Sequence, residues 1–492
     1  MISILSFEEN WRGEAPKMGQ NKKFGFWILT ALVVGNMVGS GIFMLPRSLS
    51  EVASPAGVIG AWVLTGLGVL FTVLVFGNLA IRKPELSGGP QIYAKELFPA
   101  GSKASILSGF MASWGYWIGN LAGNIAIITT FAGYLSTFFP ILTSGAELFT
   151  IGSFTLKVGN ALTFTVCTLL LWGTTFIVLR GLEGAGKLNF AATAAKVIGF
   201  LLFIIIGLFA FEKANILPFV AERADDAGHT LGLLGQIKTA AITTLWAFVG
   251  VESAVVFAPR AKKAIDVKRA SILGLFIALA IYIGISTLVM GMLPQDQLIS
   301  SDKPLIDAIE TVLGPIGAKL LAGLGLISLF GSTLGWVMLT AEVPYQAAKH
   351  GLFIPKFGQE NEKGIPKFAL IVTNLFGQLF IFSTISNSIS QAFDFVIYIA
   401  TLSYLVPYFI ASVFQLKLVI TGETYHGSNL VRGIDGVIAA IATIYSVWVI
   451  YAGTADIKLF TFGVALIASG IIFYRLVVQP TPDKKENEEK SA

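Results

Sequence analysis

Uncharged apolar stretches of roughly twenty residues recur along almost the whole chain, and no other feature restricts its fold so severely. Only α-helices and closed β-barrels satisfy their own backbone polar groups in lipid. These stretches do not alternate apolar with polar residues as barrel strands do, so they read as helical spans. Composition agrees: 13% of residues are charged, against about 25% in a soluble globular chain, which leaves too little polar surface to cover a soluble fold.

Twelve spans are predicted, at about residues 25–46, 57–81, 104–139, 160–180, 187–211, 238–258, 270–293, 316–347, 367–386, 391–416, 433–453 and 457–478. The stretch "KPELSGGPQIYAKELF" after the second is too short and broken to cross, and reads as a cytoplasmic loop with a short amphipathic helix. With a cytoplasmic N-terminus, the inside segments hold 25 of the 34 basic residues and the outside segments 8; Lys196 alone lies within a span. That split follows the positive-inside rule and implies an even number of spans with both termini inside. The N-terminal tail, residues 1–24, has no apolar core like that of a cleaved signal peptide, and residues 479–492 read as a solvated C-terminal tail. The net charge of +5 is spread over short loops, so nucleic acid is not an expected partner. Cys167, the single cysteine, rules out an internal disulfide, and no cysteine or histidine metal site is expected; His229, His350 and His426 all fall in loops.

Two spans are interrupted in the same way. "VVGNMVGSGIFMLP" (33–46) sets Gly39, Ser40 and Gly41 inside the first span and ends on Pro46; "LWAFVGVESAVVFAPRAK" (245–262) sets Gly250 and Glu252 inside the sixth. Glycine and proline both weaken helices. Five spans separate the two starting points, so the helices enter from opposite faces, and paired interrupted spans in corresponding halves mark an inverted-repeat secondary transporter. Close helix packing through Gly35 and Gly39 is the competing explanation for the first. An unwound helix exposes N–H groups that suit a carboxylate and carbonyls that suit an ammonium. A zwitterionic amino acid carries both. Gly39, Ser40 and Gly41 are therefore the candidate carboxylate cradle, and Phe248, Val249 and Gly250 the candidate amine site.

"GNMVGSGIFMLP", "WAFVGVESA", "ELSGGPQIYAKE", "SWGYWIGNLAGN" and "GSTLGWVMLTAEVPYQAAKHGLFIPKF" together resemble the amino acid–polyamine–organocation superfamily, in its basic amino acid/polyamine antiporter and cationic amino acid transporter branches, from about Lys22 to Val478. The resemblance implies an all-α membrane fold with a five-plus-five inverted repeat and two further C-terminal helices, an amino acid permease domain over residues 25–478, and transport by alternating access. It implies that Ser40 and Gly41 hold the substrate carboxylate with Asn36 nearby, that Trp246 stacks on the substrate, that Asn120 contacts it, that Trp336 is an aromatic gate, and that Glu252 is a gating acid. It further implies that Lys196 takes the place a sodium ion fills in other relatives. Arginine-exchanging antiporters of the branch do not usually carry that lysine, and its presence here points toward proton coupling.

Position weighs on the same residues. Lys196 lies nine residues beyond Lys187, about 13 Å along a helix and near the bilayer middle, where a lysine is costly and a desolvated amine can release and rebind a proton. Snorkelling to the interface is the competing role. Glu252 lies eight residues before Arg260, about 12 Å deep, and either gates or simply hydrogen-bonds the unwound loop. Trp246 adjoins the interruption, although most tryptophans in membrane proteins occupy interfacial belts. Tyr116 and Trp117 read as packing or belt residues, and Asp394 as an interfacial acid. "SGGP" at 87–90 lacks the lysine and spacing of a phosphate loop, and no catalytic constellation or cofactor site is visible. The expected function is secondary active transport of an amino acid across the plasma membrane, by cationic amino acid exchange or proton-coupled uptake. The alternatives are a proton symporter of neutral amino acids and an amino acid sensor that binds without translocating.

Overall fold

The computed structural model describes residues 24–86, 89–152, 154–224, 230–258, 261–386, 388–425, 427, 429–454 and 457–477; in α6 the side chains of 182–191 and 193 lie outside that description, as does the side chain of Ala224. The two tails, Arg260, His229, His426 and the first two residues of "SGGP" are likewise outside the described residues.

The fold is all-α. In chain order the helices are α1 (Phe26–Met37), α2 (Gly41–Val52), α3 (Pro55–Arg82), α4 (Lys103–Leu135), α5 (Val158–Arg180), α6 (Leu182–Phe209), α7 (Leu233–Phe248), α8 (Ser253–Val256), α9 (Ala264–Met292), α10 (Gln295–Ser300), α11 (Pro304–Lys349), α12 (Lys367–Ile381), α13 (Ser383–Ser386), α14 (Ile389–Thr421), α15 (Asn429–Gly453), α16 (Ile457–Ala468) and α17 (Gly470–Phe473). Two small antiparallel pairs, β1 (Glu147–Ile151) with β2 (Phe154–Lys157) and β3 (Arg223–Ala224) with β4 (Thr230–Leu231), lie in the connections. Among the described residues ten helical segments are long and apolar enough to cross a membrane, α7 and α8 counting together as one; α1 with α2, bent by 41°, supplies an eleventh, and the apolar Ala194–Phe209 stretch of α6 is shorter. Large apolar side chains such as Leu234, Phe209 and Ile316 stay exposed on the outside of this bundle, where lipid rather than water is the solvent.

α4 is the central element. It packs against α11 and α14, while α3 packs against α9 and α7. Its buried face runs nearly its whole length, from Gly109 to Tyr134. The first span extends past the predicted end: Pro46 lies inside α2, which continues to Val52. Pro46 is the sixth of twelve residues there, so its missing N–H leaves the carbonyl of Ile42 without its helical donor and its ring crowds that carbonyl, yet the helix runs on to Val52. Arg47, one residue past the predicted end of the first span, is therefore helical, and its Nη1 lies 2.5 Å from Asp394 Oδ2. α11 begins well before the predicted residue 316 and changes direction at Gly314, whose φ of +65° lies outside the helical region. The segment Pro90–Leu97 is a 3₁₀ helix, and its Gln91–Ala94 turn is buried beside α4 and α14 instead of lying on the surface; Tyr93 stacks on Phe414 with ring centroids 5.6 Å apart.

Candidate functional site

The site starts where α1 stops. Val38 N–H still donates to Val34 O, but Gly39 N–H turns to Met37 O at 2.7 Å, so the carbonyl of Gly35 loses the helical partner it would have had. Lys196 Nζ, on α6, supplies the replacement: it donates to Gly35 O and to Ser332 Oγ on α11, each at 2.9 Å, and the side chain is 5% exposed. The next carbonyl, Asn36 O, accepts from the indole N–H of Trp336 at 3.4 Å. On the other side of the gap α2 begins at Gly41, and its first N–H groups have no intrahelical partners by construction. Ser40 precedes them with its hydroxyl buried and without a hydrogen-bond partner among the described residues.

The second break lies between Phe248 and Ser253. Gly250 has φ +102°, a left-handed conformation that disfavours any side chain, and a Cβ placed there would lie 3.1 Å from both Asn36 C and Asn36 Cβ. The two interruptions thus press on each other. Asn36 Nδ2 donates to Ser253 Oγ at 2.8 Å, and that hydroxyl donates onward to Gly250 O at 2.5 Å. Glu252 is fully buried and folds back on its own loop, accepting from Gly250 N–H at 3.0 Å, from Tyr116 OH at 2.8 Å and from Tyr408 OH at 2.5 Å. Three donors from three elements hold one carboxyl group, with no basic side chain among them.

Trp246 and Trp336 meet beside the breaks, with ring centroids 6.0 Å apart and planes at 43°. Both are buried in the interior, not in an interfacial belt. They rest on Gly123 of α4, where a Cβ would come within 2.6 Å of Trp336 and 2.9 Å of Trp246. Asn120, one turn away, donates to Tyr116 O at 2.7 Å and leaves its Oδ1 without a partner among the described residues.

Of the residues singled out from sequence, Asn36, Gly39, Ser40, Gly41, Asn120, Lys196, Trp246, Gly250, Glu252 and Trp336 converge on this one region. Phe248 does not join them: its ring packs on Trp62 and Tyr282, on the α3 and α9 side. Tyr116 does, contrary to its reading as a packing or belt residue, because it lies one helical turn before Asn120 and shares its face. Tyr408 and Ser332 were not anticipated, though Ser332 lies one turn before Trp336. Asp394 is more than an interfacial acid: it accepts from Arg47 and, at 2.9 Å, from Ser48 Oγ, joining α2 to α14.

Comparison with known proteins identifies the same kind of molecule. The amino acid permease family model matches residues 24–477. A putative arginine/ornithine antiporter of Bacillus subtilis (strain 168) is 50% identical over 475 residues, covering 96% of this chain and 100% of the relative. An arginine/ornithine antiporter of Pseudomonas aeruginosa (strain PAO1) is 36% identical over 461 residues, covering 92% of this chain and 90% of that protein. An arginine/agmatine antiporter of Chlamydia abortus is 32% identical over 458 residues, covering 92% and 89%.

Proposed function

The chain belongs to the amino acid permease family, and on that premise we propose that it exchanges cationic amino acids, arginine against ornithine or a similar amine, across the cell membrane by alternating access. The observation that carries this is the meeting of two interrupted helices. The first N–H groups of α2 suit an α-carboxylate, and the carbonyls of Trp246, Ala247 and Phe248 at the end of α7, each of which already accepts one hydrogen bond and keeps a second lone pair, suit an α-ammonium. The aromatic pair of Trp246 and Trp336 offers ring faces to a cationic side chain. Twelve spans in a five-plus-five inverted repeat plus two, both termini in the cytoplasm, complete the reading; the distribution of basic residues supports it.

Lys196 favours a second reading, in which protons couple to uptake. Its amine bridges the frayed end of α1 to α11, so gain or loss of a proton alters a contact between elements that must move relative to each other. One experiment separates the two. Purified protein is placed in liposomes loaded with ornithine, with arginine or with buffer, and labelled arginine is added outside with and without an inward proton gradient. Exchange requires internal substrate and is indifferent to the gradient. Uptake into buffer-loaded liposomes driven by external acid overturns exchange in favour of symport. Absence of movement for any amino acid under either condition overturns transport.

A further inference from the structure

Asn124 stands beside the residues of the two breaks. It lies on α4 one turn beyond Asn120, is 2% exposed, and its Oδ1 has no hydrogen-bond partner among the described residues. Residues four apart on a helix share a face, about 6 Å between Cβ atoms. The neighbours of Asn124 along the chain fix its level in the site. Gly123 supports Trp246 and Trp336, and Ile127, one turn further, has its Cδ1 3.7 Å from where a Cβ on Gly39 would be. Asn124 therefore sits on α4 between the level of the aromatic pair and the level of the first break.

Two carboxamide oxygens in succession, those of Asn120 and Asn124, are thus buried on α4 beside the site with no donor to accept from among the described residues. A buried acceptor without a donor is destabilising, and the interior of a membrane protein has little means of tolerating it. Replacing either by an apolar side chain of similar size would remove that cost. A carboxamide oxygen accepts hydrogen bonds only, so the complementary group is one rich in N–H donors that offers no acceptor in return. A guanidinium, planar with five donors, spans two such oxygens; a single ammonium has fewer and a more compact head.

We propose that Asn124 is a specificity-determining residue, which with Asn120 forms a two-oxygen ladder on α4 that receives the cationic end of the substrate side chain and favours a guanidinium over a shorter amine. The assignment rests on the exchange of cationic amino acids proposed above.

The test uses the full chain in ornithine-loaded liposomes, with initial rates of labelled arginine and labelled ornithine uptake for the wild type, Asn124→Leu and Asn124→Asp, alongside thermal unfolding of each purified protein. Asn124→Leu is expected to raise KM for arginine about tenfold or more, the loss of a hydrogen bond to a charged group, and to raise that for ornithine less, with kcat little changed. Its unfolding midpoint is expected to stay level or rise, because an unpaired acceptor has gone. Asn124→Asp keeps the acceptor and is expected to hold arginine at least as well as the wild type. Unchanged KM in Asn124→Leu, as for a carboxamide that only binds water, overturns the assignment, as does a lowered unfolding midpoint with both substrates weakened equally, or an Asp variant no better than the Leu variant. A wild type that exchanges neither arginine nor ornithine overturns the underlying reading and this assignment together, whereas intact wild-type exchange with an indifferent Asn124 overturns this assignment alone.

Discussion

Lys196 Nζ donates to the carbonyl of Gly35, 161 positions earlier in the chain, at 2.9 Å. The helix end left open by the first interruption is therefore closed by an amine from a different span. A third span joins through Ser332. Removing the amine strips a donor from a buried carbonyl and breaks the link it makes from α1 to α6 and, through Ser332, to α11, which then holds α1 by the Trp336–Asn36 O hydrogen bond. Lys196→Ala is expected to abolish the pH dependence of uptake and to slow exchange at every pH, measured as initial rate against external pH in liposomes. An unaltered pH profile would remove Lys196 from the mechanism.

Gly250 tests whether the second break is required. Its positive φ disfavours any Cβ, and one placed there lies 3.1 Å from Asn36 C and Asn36 Cβ, so Gly250→Ala must both strain the loop and push the two breaks apart. A strained residue of this kind costs about 1–3 kcal/mol, so the protein is expected to fold with reduced thermal stability and to lose most of its transport. Full activity in Gly250→Ala would mean that close contact between the breaks is dispensable.

Tyr116 and Tyr408 act through the same carboxyl group, which gives a quantitative expectation. Each Tyr→Phe removes one hydrogen bond to Glu252, worth about 1.5–3 kcal/mol if the carboxyl is ionised. Because both end on one carboxyl group, Tyr116 on Oε1 and Tyr408 on Oε2, the double variant is expected to depart from additivity by about 0.5–3 kcal/mol in a double-mutant cycle on transport rate. Strict additivity would show that the two tyrosines serve Glu252 independently of each other.

The Arg47–Asp394 pair joins α2, the second half of the first broken span, to α14, and Arg47 Nε also donates to Ile299 O at 3.0 Å. The pair is partly solvated, so its loss is expected to cost no more than about 1 kcal/mol of stability. Its effect belongs on motion instead. Arg47→Ala is expected to change turnover while leaving KM for substrate nearly constant, and the exchanged pair Arg47→Asp with Asp394→Arg is expected to recover part of the rate. A large rise in KM, with no recovery on exchange, would count against a role in closing that end of the molecule.

The membrane class, the helical fold and the positions of the two interruptions were legible in the sequence because each follows from local chemistry. Apolar runs without alternation admit only helices, and glycine beside proline weakens one wherever it stands. Gly39, Ser40, Gly41, Gly250 and Glu252 could be found by that means. Trp246 could be placed at the site from its nearness to a break, whereas Phe248, two residues on and nearer still, turns to the other side of α7. A helix rotates by about 100° per residue, so proximity in sequence does not decide which neighbour a ring meets.

Sequence alone determined that this chain must lie in lipid, that its spans are helices, and that two of them come undone, since these depend on backbone satisfaction and residue propensity over short windows. Tertiary structure decided what the freed groups do. Gly35 O meets Lys196, Asn36 O meets Trp336, and Glu252 meets Tyr116 and Tyr408. Those partners come from four other helices, and only the packing of α4, α6, α11 and α14 around the breaks brings them within hydrogen-bond reach.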